Sequence, residues 1–151
     1  MTRWAALTLI AVTGAASAQP PPPDPLAGVW RIETGRFYGD CRIDGAMTIS
    51  PTSARNAFAC RFTTRQSCPG ERDATSEQTC LVSRAGDRIT ITSHLIRTNA
   101  PGYVPDHWRL RYESATRMSG HLLVDRPPRN RSGQPGQIAT ATFTRKQTPI
   151  S

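Results

Sequence analysis

Residues 41–50, CRIDGAMTIS, alternate apolar or small side chains with polar ones at every second position. Successive side chains of a β-strand point to opposite faces, so this period of two predicts a strand with one buried face and one solvent-facing face. The polar face carries Arg42, Asp44 and Thr48. The expected buried face consists of Cys41, Ile43, Gly45, Met47 and Ile49.

The same alternation recurs on both sides of this segment, interrupted by Pro- and Gly-containing turns. It begins at Leu26 and ends at Thr144, and no stretch has a 3.6-residue period over three turns. The polar run 63–78 and the run 99–105 predict loops. Eight short strands predict an antiparallel sandwich or barrel, and an even-numbered meander closes naturally. We therefore predict an all-β, antiparallel, up-and-down eight-stranded barrel over residues 26–146.

The composition supports a single turn-rich β domain. The chain has 151 residues, which fits one domain, and its 13 Pro and 11 Gly favour strands and turns over a helical bundle. A net charge of +8 with 20% charged residues is too balanced for an acidic or basic tail. The content of β-branched and aromatic residues excludes full disorder.

The N-terminus carries the three parts of a secretory signal. Arg3 supplies the positive charge, residues 4–12 the apolar stretch, and residues 16–18, ASA, a cleavage site. The apolar stretch is too short to span a bilayer of about 30 Å. We expect a periplasmic or secreted protein with no transmembrane segment after processing. The predicted segments are a signal peptide over 1–18, a Pro-rich leader over 19–25, the barrel domain over 26–146 and a tail over 147–151.

Export makes two disulfides the expected state of the four cysteines. The sequence has no C-x-x-C pair, and all histidines follow the last cysteine, which argues against zinc and predicts no metal site. If residues 50–53 form the tight turn of a hairpin, the pairs are Cys41–Cys60 and Cys68–Cys80, the pairing we favour. A longer turn through Asn56 gives Cys41–Cys68 and Cys60–Cys80 instead.

The predicted barrel interior is one candidate binding surface. An eight-stranded barrel is just wide enough to be filled by side chains or to hold one small ligand. A filled hydrophobic core is the favoured interpretation, but Gly45 and Gly120 on inward faces remove volume and leave room for a pocket. The candidate ligand-binding residues are Trp30, Met47, Phe62, Trp108 and Tyr112.

The loops are the second candidate surface. Cys68 and Cys80 enclose a charged tip that a disulfide between them would rigidify, and Tyr103 is expected to be an exposed aromatic anchor. Ordinary solvated connections are the alternative interpretation. The candidate residues for protein interaction are Glu71, Arg72, Asp73, Tyr103 and Arg129.

Catalytic patterns are poorly represented. His94, His107 and His121 each neighbour a residue expected to point inward, so all three are expected to point outward. There is no G-x-S-x-G elbow, and acids in a solvated loop keep ordinary pKa values, which makes them poor general acids. An exported chain without an aromatic-interleaved basic stripe is not expected to bind nucleic acid. We predict a protein that is not an enzyme and uses no cofactor.

Residues 26–30, LAGVW, resemble the G-x-W opening of lipocalin-type (calycin) barrels. The resemblance implies a lipocalin-like barrel in which Trp30 plugs one end and packs against Arg145, which follows the last strand. The L-x-G-x-W start, together with Cys41 and Cys60, also resembles small bacterial periplasmic protease inhibitors. In those inhibitors the segment before the first strand enters the protease cleft, whereas here that segment is a proline run.

These observations favour a binding protein over a catalyst. We expect an exported, monomeric, non-enzymatic module of the cell envelope or periplasm that binds a small apolar ligand or an anionic envelope surface. The alternative is a protease inhibitor that acts through its loops or its N-terminal leader.

Overall fold

The computed structural model describes residues 24–124 and 137–147, which leaves the expected signal peptide and most of the leader outside the described residues. Eight antiparallel strands form one closed barrel in sequence order, so the predicted up-and-down barrel is confirmed. Within these residues no helix is long and apolar enough to cross a membrane. The strands are β1 (Gly28–Thr34), β2 (Arg42–Pro51), β3 (Ala57–Ser67), β4 (Ala74–Ala85), β5 (Arg88–Thr98), β6 (His107–Ser114), β7 (Arg117–Leu123) and β8 (Gln137–Arg145).

The third and fourth strands are longer than the sequence suggests. The loop predicted over residues 63–78 is wrong, because β3 continues to Ser67 and β4 begins at Ala74. Strand alternation persists here, but the inward positions hold buried polar side chains, namely Thr64, Ser76 and Gln78. A search for apolar residues at every second position therefore misses these ends of the two strands.

The centre of the barrel is a packed hydrophobic core. The ring of Trp108 meets Phe62 and Phe143 edge to face, with centroid distances of 6.5 and 5.2 Å. Met47 and Met118 are completely buried beside these rings. Burial of each large apolar side chain stabilises the fold by about 1.5–3 kcal/mol. The filled-core interpretation of the barrel centre is therefore correct.

Gly45 and Gly120 do not open a pocket in this core. A Cβ atom at Gly45 would lie 2.2 Å from the carbonyl oxygen of Thr63, and one at Gly120 would lie 2.1 Å from that of Arg109. The missing side chains therefore let neighbouring strands approach closely, which is how glycine allows a sheet to curve into a small barrel.

One end of the barrel, where β1 begins and β8 ends, is sealed, and we call it the closed end. Trp30 is fully buried there, and its indole N–H donates to the carbonyl oxygen of Leu26 at 3.0 Å. The guanidinium of Arg145 lies 4.7 Å from the centre of the Trp30 ring. It also donates to the carbonyl oxygens of Ala27 at 2.7 Å and Ala115 at 2.8 Å. The expected contact between Trp30 and Arg145 is therefore present, and it ties the N-terminal segment to the β6–β7 turn.

The wall of the barrel has one short seam. Among the described residues, β5 and β6 pair over residues 88–91 and 108–111, whereas β3 and β4 pair from Ala57 to Gln66. Beyond the paired residues, the backbone N–H of Ser93 donates to Nδ1 of His107 at 3.0 Å. A side chain thus takes over from the backbone ladder at this point of the wall.

The disulfides join Cys41 to Cys68 and Cys60 to Cys80. The pairing favoured from the sequence is therefore wrong, and the alternative with the longer turn is correct. The β2–β3 turn runs through Asn56, whose φ of 58° is left-handed, and this longer turn places Cys60 opposite Ile49. Cys60 then faces Cys80 directly across β3 and β4. Two disulfides are typical of proteins in oxidising compartments.

Replacing Arg145 by alanine should destabilise the closed end. The Arg145→Ala protein loses the ring contact and the hydrogen bonds to backbone carbonyls, so we expect its unfolding free energy to fall by about 1–3 kcal/mol. Lys146→Ala is the matched control, because Lys146 is adjacent and exposed, and it should change stability by less than about 0.5 kcal/mol. Urea unfolding followed by tryptophan fluorescence measures both. Equal stability of the two variants would contradict the role given to Arg145.

Removing the Cys41–Cys68 bridge should also lower stability. This bridge closes a chain segment with a sequence separation of 27, so we expect the Cys41→Ala/Cys68→Ala protein to lose about 2–4 kcal/mol of unfolding free energy. Peptide mapping without reducing agent should recover Cys41 linked to Cys68 in the native protein. Recovery of Cys41 linked to Cys60 would show that the pairing described above is incorrect.

Candidate functional site

The opposite end of the barrel, which we call the open end, holds a cavity of about 390 Å³. The connections β1–β2, β3–β4 and β5–β6 surround it, and we call it the mouth cavity. Its apolar wall comes from the barrel strands and the residues that follow them, whereas its rim and floor are polar. The residues that matter below are Ile43, Leu122, Val124 and Ile138 in the wall, Glu71 and Arg72 at the rim, and Tyr103 and Asp106 at the floor.

The β5–β6 connection is fixed against β4 by an asparagine. The side chain of Asn99 accepts the backbone N–H of Thr75 at 2.7 Å and donates to the carbonyl oxygen of Asp73 at 3.2 Å. Gly102, with a φ of 76°, then turns the chain back toward the barrel. A left-handed φ at this position suits glycine, which has no Cβ atom to clash. The turn delivers Tyr103 and, three residues later, Asp106 to the cavity floor.

Asp106 is the most deeply buried charged residue of the described barrel, with 2% of its surface exposed. Its Oδ2 atom accepts hydrogen bonds from the side chains of Gln78 at 2.7 Å, Tyr103 at 2.9 Å and Thr64 at 3.2 Å. Among the described residues, no hydrogen bond reaches its Oδ1 atom. Within the part of the chain that the structure describes, hydrogen bonds therefore engage Oδ2 and leave acceptor capacity at Oδ1.

Further hydrogen bonds hold this carboxylate in place. The backbone N–H of Asp106 donates to Oε1 of Gln78 at 2.9 Å, so the two residues bind each other reciprocally. Ser76 receives a hydrogen bond from Gln78 at 2.7 Å and lies 2.6 Å from the hydroxyl of Thr64. These residues form a polar cluster inside the barrel, comprising Thr64, Ser76, Gln78, Tyr103 and Asp106. A connected network of this kind fixes the position of each member.

The polar cluster shifts the titration of both acidic groups. Burial raises the pKa of Asp106 above its ordinary value, and the hydrogen bonds from Tyr103, Gln78 and Thr64 oppose that rise. Burial and the neighbouring charge of Asp106 raise the pKa of Tyr103. The tyrosine hydroxyl therefore keeps its proton and remains a hydrogen-bond donor to the carboxylate.

A second depression, of about 470 Å³, lies over strands β2 to β5 and is a weaker candidate site. Its acidic residue Glu77 forms ion pairs with Arg61 and Arg97, and these two guanidinium groups lower the pKa of that carboxyl. Asp44 pairs with Arg65 at 3.1 Å in the same way. Charges that are already paired with each other leave little unmet binding capacity, so the mouth cavity is the better candidate.

The residues predicted to bind a ligand in the barrel interior lie elsewhere in the structure. Trp30, Met47, Phe62 and Trp108 are in the packed core, and none of them lines the mouth cavity. Tyr112 is half-buried toward the closed end, where the guanidinium of Arg84 lies 4.6 Å from its ring centre. The structure therefore gives these residues packing contacts.

The loop residues predicted for protein interaction occupy different places in the structure. Glu71 and Arg72 are exposed and lie at the rim of the mouth cavity, and Asp73 lies 3.9 Å from Arg65. The expectation that Tyr103 is exposed is wrong, because its ring is half-buried and its hydroxyl binds Asp106. Arg129 lies outside the described residues. The tip that carries Glu71 is tethered by Cys68 to Cys41, and not to Cys80 as expected.

Sequence reasoning missed the polar cluster, although one signal could have found it. Asp106 has the same parity as the inward residues Trp108 and Leu110, and Thr64 has the same parity as Phe62. Extending the strand alternation through polar positions would have placed both side chains inside. Polar runs at these positions predicted loops instead, because buried acids are uncommon.

The three histidines lie on β5, β6 and β7. His94 is exposed, and His107 is half-buried with Nδ1 bound to the backbone of Ser93, so the expectation that it points freely outward is wrong. His121 is half-buried on β7. Within residues 24–124 and 137–147, no three His, Cys, Asp or Glu side chains come together as a metal ion would require.

Comparison with known proteins gives similarity in fold alone. No protein-family model and no curated protein sequence matches the chain. Among solved structures, a redesigned β-barrel, mFAP0, bound to DFHBI, is similar with a TM-score of 0.52 and 14% identity, over 81% of this chain and 100% of that chain. A fluorescence-activating β-barrel made by de novo design has a TM-score of 0.48 and 13% identity, over 80% of this chain and 94% of the other.

The raised pKa of Asp106 gives a testable pH dependence. An acid with a higher pKa in the folded state than in the unfolded state stabilises the fold most at low pH. This contribution is fully present below the ordinary pKa of 3.8 and is lost as pH rises through the folded-state pKa. We therefore expect the unfolding free energy of the native protein, relative to Asp106→Asn, to fall as pH rises through that window. Urea unfolding of both proteins across a pH series measures the difference.

The comparison between the two proteins isolates Asp106 from other acids. Glu77, Asp87 and Glu113 have lowered pKa values because of arginine or serine hydrogen bonds, so they favour stability at higher pH. Their effects are common to both proteins and cancel in the difference. Parallel stability curves for the native protein and Asp106→Asn would show that burial does not raise the pKa of Asp106.

Proposed function

We propose that this protein is an exported, non-enzymatic barrel that binds one small, largely apolar ligand in the mouth cavity. The observation that carries the proposal is a cavity of about 390 Å³ with an apolar wall and a buried polar floor, set in a barrel whose other end is sealed. Small-molecule sites are mostly apolar concavities of roughly 300–1,000 Å³ with a few placed polar groups. The mouth cavity falls in this volume range and combines apolar side chains with a few placed polar groups.

Three fixed elements support ligand binding at this end. The Cys41–Cys68 bridge ties the β1–β2 connection to the β3–β4 connection. Asn99 and the polar cluster fix the β5–β6 connection to the barrel. A site that is ordered before the ligand arrives loses less conformational entropy on binding. The packed core below the polar cluster confines the ligand to the open end.

Features outside the mouth cavity support the proposed location and family. Two disulfides and the N-terminal signal pattern support export to the periplasm or beyond. The contact between Trp30 and Arg145 supports a relationship with lipocalin-type barrels. A basic net charge of +8 is compatible with attraction to anionic envelope polymers, which is the second binding mode we proposed from the sequence.

Protease inhibition is the second candidate function, and one observation favours it. The β3–β4 tip presents exposed Glu71, Arg72 and Asp73 beside a disulfide that anchors the base of the tip. A rigid exposed loop is a suitable shape for insertion into an enzyme cleft. The N-terminal leader, the other proposed inhibitory element, lies mostly outside the described residues.

Binding can be tested with N-phenyl-1-naphthylamine, an uncharged apolar fluorescent probe. We expect saturable fluorescence enhancement with one probe per protein. Ala74 lines the mouth cavity on β4, so Ala74→Phe should fill part of the cavity and weaken probe binding by at least about tenfold. Thr79→Phe, which adds the same ring on the exposed face of β4, is the control and should change binding by less than about twofold.

The outcomes separate the candidate functions. No saturable binding, or equal binding by Ala74→Phe and Thr79→Phe, would remove the mouth cavity as a ligand site. Mass spectrometry of the protein purified from its native compartment should recover a small apolar compound. Recovery of a stoichiometric protease instead would favour the inhibitor.

A further inference from the structure

We propose that the ligand of the mouth cavity carries a primary amine, which docks as an ammonium cation on the free Oδ1 atom of Asp106. The inference rests on the proposed function, because it names the chemical class of the ligand for the same cavity. It is carried by the geometry of the floor, where a carboxylate that is only 2% exposed has one oxygen fully engaged and the other without a hydrogen bond from the described residues.

The hydrogen-bond donors that the structure describes around Asp106 carry no charge. The three side chains that donate to Oδ2 belong to Thr64, Gln78 and Tyr103, and all three are uncharged. Taking a carboxylate out of water is costly unless it is both hydrogen-bonded and paired with a cation. The described residues supply the hydrogen bonds, and a ligand cation at Oδ1 would add a directly bonded positive charge to that of the neighbouring His107.

The charged groups that the structure describes near the floor include His107 and, at the rim, Glu71 and Arg72. β3 and β4 contribute only the uncharged Thr64 and Gln78 to the carboxylate, and His107 on β6 acts on it through its charge. At the rim, Glu71 and Arg72 are exposed and carry opposite charges. Since exposed rim charges are screened by water, Asp106 and His107 are the described charges that act most strongly at the floor.

The lining of the cavity selects the rest of the ligand. Val124 and the partly buried Ile138 border the same cavity as Asp106, so apolar side chains and the acid face one space. An amphiphile with one ammonium group and a hydrocarbon or aromatic body matches this arrangement at both ends. A carboxylate at the same end of the ligand would meet Asp106 with like charge and should be rejected.

The test uses three probes that share one hydrocarbon chain, namely octylamine, 1-octanol and octanoate. Each is titrated against the native protein loaded with N-phenyl-1-naphthylamine, and displacement of the fluorescent probe gives its affinity. We expect octylamine to bind at least about tenfold more tightly than 1-octanol, because a hydrogen bond between two charged groups exceeds a neutral one. Octanoate should displace the probe least.

Three variants identify the carboxylate as the cause. Asp106→Asn should bring octylamine to within about twofold of 1-octanol. Tyr103→Phe keeps the carboxylate but removes a donor, so the amine preference should survive while its onset moves to higher pH. Asp87→Asn removes an exposed acid that pairs with Arg111, and it should leave the preference unchanged.

Each result supports or overturns a defined claim. Loss of amine preference in Asp106→Asn, with retention in Tyr103→Phe and Asp87→Asn, supports docking on Asp106. If the fluorescent probe binds but octylamine has no advantage over 1-octanol, the ligand class is wrong and the proposed function stands. If the fluorescent probe does not bind at all, the proposed function and this inference both fail.

Discussion

The fixed interior volume of an eight-stranded barrel is the constraint on which this structure depends. Eight strands enclose little more than the side chains that point inward, so the identity of those side chains decides where space remains. In this protein Trp30, Trp108 and Phe143 fill the interior from the closed end to the centre. Small polar residues, Thr64 and Ser76, occupy the inward positions nearer the open end. The change from large apolar to small polar residues leaves room for the mouth cavity at the open end.

The strand pattern could be predicted from the sequence because the apolar core is strictly alternating. Ile43, Met47 and Phe62 are apolar and buried. Their spacing at every second position therefore predicted both the strands and which side chains point into the barrel. The Trp30–Arg145 contact at the closed end could also be predicted, since a G-x-W start and an arginine after the last strand resemble the pattern of lipocalin-type barrels. These features depend on burial and local pattern, which one sequence contains.

The candidate site was not predicted from the sequence, and the reason is physical. Asp106 and Gln78 sit at inward positions but are polar, and their burial is stabilised by partners from other strands. Such partners are distant in sequence, so the alternation can place these side chains inside the barrel but cannot show which of them bind each other. The disulfide pairing was predicted wrongly for a related reason. The length of the β2–β3 turn decides which residues lie opposite Cys60, namely Ile49 on β2 and Cys80 on β4. Turn length depends on the left-handed Asn56, whose conformation a period-two pattern does not specify.

The short pairing between β5 and β6 has a consequence for the way the barrel opens. Because the backbone ladder there covers only residues 88–91 and 108–111 in the described strands, and a histidine bridges the gap above it, local opening needs few bonds to break. The strand that begins at His107 directly follows Asp106, so separation at this seam also moves the acidic floor. Amide hydrogen exchange should therefore be fastest along this part of the wall. A ligand bound at Asp106 would then slow amide exchange along this part of the wall.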